Sequence, residues 1–164
     1  MKSIAMDVDT VSLVMGELSR EDVNVLNYDG ANLNGPDLAI DRVSALDLAS
    51  LRKESLLAYA AARRYAVETA SVVMNGVSIA TDRQSQAMLS AAYNMAQADA
   101  DFSTMWKGSD GSFAALSAAQ IIAIAQAVGA FVASCFAAEA AAVVKINAGT
   151  ITTKAEIDAA IVAQ

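Results

Sequence analysis

Apolar and polar residues change their rhythm along this chain, and the changes mark out its elements. Ile4, Met6 and Val8 alternate with polar neighbours, and Val11, Leu13 and Met15 continue in the opposite parity, which predicts strand with a register shift near Asp9-Thr10. Asn27 to Asp37 is turn chemistry throughout and holds the only proline, Pro36, so it predicts an irregular loop. An EF-hand alignment with Gly35 as the turn glycine puts Gly30 at the first ligand position, where no side chain can coordinate, and so gives no calcium site. Residues 1–44 are therefore expected as an extended, strand- and loop-rich N-terminal arm.

From Ala45 to Tyr65 the chain is rich in Leu and Ala without a breaker, which predicts a helix with Arg63 and Arg64 in its last turn. Val67 to Met74 reads as strand, Asn75-Gly76 as a tight hairpin turn, and Val77-Ser78-Ile79 as the returning strand. Thr81-Asp82-Arg83-Gln84 has the pattern of a capping box and opens a helix to about Ala100, with Met88, Leu89, Ala92, Tyr93, Met95 and Ala96 on one side. Phe102–Lys107 and Ser112–Leu116 flank Gly108 to Gly111 as a second hairpin. A second box, Ser117-Ala118-Ala119-Gln120, opens the longest helix, to about Asn147, and a third, Thr153-Lys154-Ala155-Glu156, opens a short last one. Residues 45–164 are expected as an α+β domain: two β-hairpins forming a small antiparallel sheet, packed with helices that include the long Ala-rich C-terminal one.

Composition narrows the function. Of 164 residues 55% are hydrophobic but only 5% aromatic, so the helices must pack closely through small side chains. Such a chain gains burial from neighbouring subunits, and a homo-oligomer is expected. A net charge of -7 opposes binding to phosphate backbones, so nucleic acid is not an expected partner. The start from Met1 to Asp9 lacks the apolar run of a signal peptide, and the lone Cys135 allows no intramolecular disulfide. Both features fit synthesis and assembly in a cytoplasm.

Catalytic chemistry finds little to work with. The chain has no histidine, which removes Ser-His-Asp and Cys-His catalysis and imidazole metal sites. Cys135 lies among Phe131, Val132 and Phe136 on an apolar face, where a thiol is inert core. The i,i+2 pairs Asp7/Asp9 and Asp99/Asp101 point apart on either kind of element. No enzyme, cofactor or metal site is expected. Residues 121–138 are apolar apart from Gln126 and Ser134, about the length that spans a bilayer, yet alanine is the commonest residue of the run and it has no basic flank. A core or oligomer helix is expected there, not a membrane span. On its wheel Ile121, Val128, Val132, Cys135 and Ile146 form a seam widened by Ile124, Phe131 and Phe136, with Glu139 near its centre. A buried carboxylate there needs a cation, which predicts a structural ion pair with Arg63, Arg64 or an arginine of an adjacent subunit.

Asn75-Gly76, Ile79 to Gln86, Trp106-Lys107 with Asp110-Gly111 and Phe113, and Cys135 to Glu139 occur here in the order and spacing of one known domain. Over residues 60–164 the chain resembles a domain of unknown function that recurs in tailed-phage and prophage proteins, often beside tail-fibre genes. The resemblance implies a non-enzymatic structural part of a tailed-bacteriophage virion, in the tail, baseplate or tail-fibre-attachment region, with other phage structural proteins as partners. It brings no functional residues with it. The alternatives are a tail-fibre assembly chaperone that leaves the particle and a small, membrane-active, holin-like lysis protein.

Overall fold

The computed structural model describes residues 1–74 and 76–162, and it divides into two compact units, Met1–Ala58 and Tyr59–Gln164. The protein is α+β, with three small antiparallel sheets and one long C-terminal helix among the described residues.

The first unit runs β1 (Lys2–Ala5), α1 (Val8–Glu17), α2 (Arg20–Val25), β2 (Asn27–Tyr28), β3 (Asn32–Gly35), α3 (Asp37–Ser44) and the first part of α4 (Leu48–Glu68). Strand β3 is central and antiparallel to both neighbours, so that Leu33 faces Ile4 on one side and Tyr28 on the other. Leu33 is fully buried, and Met6, Val11, Val14, Ile40 and Val43 close a small core around it. Gly35 ends the strand where a Cβ would lie 2.6 Å from a Leu26 methyl group, so that any larger residue would require Leu26 to move.

This unit corrects the expected extended arm. The stretch with the parity change is helix α1: the Asp7 carboxylate accepts the Thr10 N–H at 2.9 Å, and Val11 and Val14 share its buried side. Alternation misled because Leu13 and Met15 are only half-buried companions, while the i,i+3 pair is what the core takes up. The expected loop over residues 27–37 is a hairpin whose turn is held by Asp29, which accepts from Ala31 N at 2.9 Å and Asn32 N at 2.7 Å. Nor does a helix begin at Ala45, which instead ends α3; Asp47 accepts from Ser50 N at 3.1 Å as α4 starts.

The second unit contains the rest of α4, then β4 (Ser71–Met74), β5 (Val77–Ala80), α5 (Arg83–Ala98), β6 (Ser103–Lys107), β7 (Phe113–Ser117), α6 (Ala118–Asn147) and α7 (Lys154–Ala160). Val72 faces Ile79 across the first hairpin, and Trp106 faces Ala114 across the second. Gly76 takes the positive φ of 78° that a tight turn requires, while its predicted companion Asn75 lies outside the described residues. The two hairpins form separate two-stranded sheets instead of the single expected one. They meet where Ser109 N–H donates to Ser78 O at 3.1 Å, a loop contact and not a ladder.

Ile79, Leu89, Trp106, Leu116, Ile121, Ile124 and Val128 make the larger core. Helix α4 continues through Val67 and Glu68, so these are its buried last turn and not strand. Helix α5 is capped by Asp82, which accepts from Gln84 N and Ser85 N; the Thr81 hydroxyl, expected as the cap, donates to Ala70 O instead. Met88 and Met95 are more than half exposed, because the buried side of α5 is centred on Leu89 and Ala96. Both capping boxes at Ser117 and Thr153 form as the sequence predicts.

Candidate functional site

The chemistry of the second unit concentrates where α4, α5 and α6 bring charges together. Glu68, in the last turn of α4, has no exposed side-chain surface, so its carboxylate needs partners for both oxygens. Arg83 supplies a two-pronged grip, Nη1 to Oε1 at 2.5 Å and Nη2 to Oε2 at 3.1 Å. One turn back on α4, Arg64 Nη1 also donates to Glu68, and its Nε donates to Glu139 Oε2 at 2.8 Å. Gln86 Nε2 reaches Glu68 Oε1 at 3.4 Å and Thr81 O at 2.6 Å. The Arg64 guanidinium also lies 4.4 Å from the centre of the Phe136 ring. Its hydrogen bond to Glu139 is the main cause that raises its pKa above the usual arginine value, helped by the bond to Glu68.

Of the residues expected to form an ion pair, the structure joins Arg64 to Glu139 and sends Arg63 elsewhere, to Asp158 at 3.1 Å and to the Ile161 carbonyl at 3.2 Å. Glu139 is at the margin of the apolar seam, with 21% of its side chain exposed, and not at its centre. The wheel failed there because Phe136, assigned to the seam, is 46% exposed, so the core lies to one side of it. The fully buried acid is Glu68, which the sequence reading missed. Its signal was present in the i,i+4 spacing from Arg64, which has meaning only once α4 is carried three residues past Tyr65. Two acids and two arginines balance in charge, and every carboxylate oxygen of Glu68 is taken. The cluster can hold three helices together. Burial pushes the Cys135 thiol pKa up, consistent with an inert core residue. No group of three or more His, Cys, Asp or Glu side chains that could hold a metal is found among the described residues.

Gln86 links this cluster to an open groove of about 470 Å³ between α5 and α6. Gln86, Ser90 and Asn94 stand along one wall at successive turns of α5, Leu89 and Val128 form the floor, and Gln126, Gly129 and Val132 belong to the α6 side. Neither helix puts a charge into it, since α5 from Gln84 to Ala98 and α6 from Ala118 to Ala138 carry none. Polar but uncharged walls over an apolar floor suit neutral surface that is both greasy and hydrogen-bonding.

Comparison with curated proteins and with solved structures returns no match. A family model described as a domain of unknown function (DUF4376) matches residues 51–161. That span starts in the first turn of α4, earlier than the residue 60 expected from the motifs, and takes in Arg63 and Arg64, Glu68, the groove and α7. The chain belongs to this family, that of the domain of unknown function DUF4376.

Proposed function

We propose that the chain is a structural component of a tailed-bacteriophage particle, in the tail, baseplate or tail-fibre-attachment region, and that it works by protein–protein assembly. The observation that carries this reading is the uncovered apolar surface of α6. Only 28% of its most apolar 18-residue stretch is buried by the chain's own fold, and Val144 at 67% exposure continues that surface. Apolar surface on this scale is a contact surface for something else. The phage setting comes from the resemblance of the second unit's motifs to a domain found in tail-associated proteins. Mass spectrometry of purified particles tests the proposal, with a fixed copy number per particle as the expected result. Presence in infected cells but absence from particles would replace it by the assembly-chaperone reading.

The same helix gives a second reading its one support, since α6 is long and apolar enough to cross a membrane. A holin-like protein would stay in the membrane pellet after carbonate extraction. The assembly reading expects release into the supernatant.

A further inference from the structure

Gly129 lies in the middle of a 30-residue helix, where glycine is the poorest choice after proline. The chain's own packing does not ask for it: a Cβ built there meets nothing within 4 Å. Glycine in such a place serves close approach by a backbone from outside. Around it on α6, Ile122, Gln126, Gly129, Ala133, Phe136 and Ala140 follow one another at intervals of four and three, the spacing of a helix-pairing seam, and all are exposed or half-exposed.

We propose that the α5–α6 groove seats α6 of a second copy of this chain, antiparallel and crossing between Gly129 and Ala133. The seam is complementary to itself when reversed. Gly129 then faces Ala133 of the second copy at the closest approach, Gln126 faces Phe136, and Ile122 faces Ala140, so each large side chain meets a smaller or flexible one. Charge selects the occupant as well. A chain of net charge -7 meets its own copies with least like-charge contact through an uncharged face, and the side chains of this groove and seam carry no charge. Gln86, Ser90 and Asn94 of the groove wall can hydrogen-bond the polar side of the arriving helix. The seam is about 27 Å long and the face about two helix diameters wide, which gives roughly 500 Å² per copy against about 800 Å² in a standard specific interface. The dimer is therefore weak, with a dissociation constant in the micromolar range. It does not depend on the phage assignment, since a dimer could form in a protein absent from any particle, and the two proposals fail separately.

Sedimentation equilibrium on the full chain, from low to high micromolar concentration, decides the matter. The expected result is a monomer–dimer equilibrium that Gly129→Leu weakens by about tenfold or more, equivalent to at least one power of ten in the constant. Ala91→Leu, the same added bulk on the exposed side of α5 outside the groove, should leave the equilibrium unchanged. Gly129→Ala should raise the melting temperature of the dilute monomer and still weaken the dimer, separating the needs of the fold from those of the interface. A wild-type chain that stays monomeric throughout, or a dimer indifferent to Gly129→Leu and Gly129→Ala, would overturn the proposal.

Discussion

In the Met1–Ala58 unit, Asp7, Asp29 and Asp47 stand in solvent and accept from backbone N–H groups two or three residues further on, whereas the Tyr59–Gln164 unit takes Glu68 wholly out of solvent and surrounds it with Arg64, Arg83 and Gln86. The first arrangement is mainly local, although Asp7 also accepts from Arg52 Nη2 at 3.0 Å. Each aspartate fixes where a helix or turn begins, and backbone hydrogen bonds hold the pKa of Asp7, Asp29 and Asp47 below the usual carboxylate range. The second is global, because the partners of Glu68 come from α4 and α5 and, through Arg64, from α6. These exposed carboxylates set the boundaries of elements; Glu68 decides which elements stay together.

The largest test of that contrast removes the buried acid. Glu68→Ala leaves two arginine side chains facing the space that the carboxylate filled and should cost about 3–5 kcal/mol in denaturant unfolding. Glu139→Ala, at the partly exposed edge of the same cluster, should cost only about 1–2 kcal/mol, because water can replace the lost partner of Arg64. Equal losses in the two variants would erase the distinction between buried and marginal carboxylates.

A middle-sized test concerns a cap. Asp82→Ala should lower stability by about 1 kcal/mol, the usual worth of an N-cap, while Gln84→Ala should leave the melting temperature where it is. A loss at Gln84 instead would restore the box that the sequence predicts at Thr81.

The smallest effect is a pH effect in the first unit. Hydrogen bonds from Ala31 N, Asn32 N and the Asn34 side chain bring Asp29 down to about 2 from an ordinary value of 3.8. A depressed folded-state pKa stabilises above the unfolded value and loses that contribution as pH falls through the folded one. Amide-exchange protection at Ala31 and Asn32 should therefore be full above about pH 4 and fade toward pH 2, and Asp29→Asn should remove most of this dependence. Protection that does not change over that range would show that the turn is held by its backbone alone.

Sequence patterns served the two units unequally, for physical reasons. In the second, Ser117 with Gln120 and Thr153 with Glu156 state their helix starts in four residues each, and Gly76 and the Gly108–Gly111 segment mark their turns. In the first, α1 opens on a lone Asp7 with no answering Glu or Gln, and its apolar residues suit a strand as well as a helix until Val14 is seen against Leu33. Helix α2 did carry a readable signal, Ser19 three residues before Asp22, whose backbone N–H it accepts at 3.3 Å. The candidate site was legible only in part. Arg64 and Glu139 could be paired on grounds of seam and charge, but the choice of Arg64 over Arg63, and the place of Glu68, depend on how α4 is rotated in the folded chain.

Arg64 and Glu139 are 75 residues apart in sequence, and their bond closes by far the longest loop in the charge cluster. The two hairpins, by contrast, pair residues between three and fourteen positions apart. Closing a long loop spends chain entropy before any contact repays it, so local hairpins and helices can form early on the folding path and the Arg64–Glu139 clasp late. A late contact governs how fast the native state comes apart more than how fast it is reached. Loss of Glu139 should then steepen nothing on the refolding limb of a chevron and raise the whole unfolding limb, making this clasp a brake on exit from the fold.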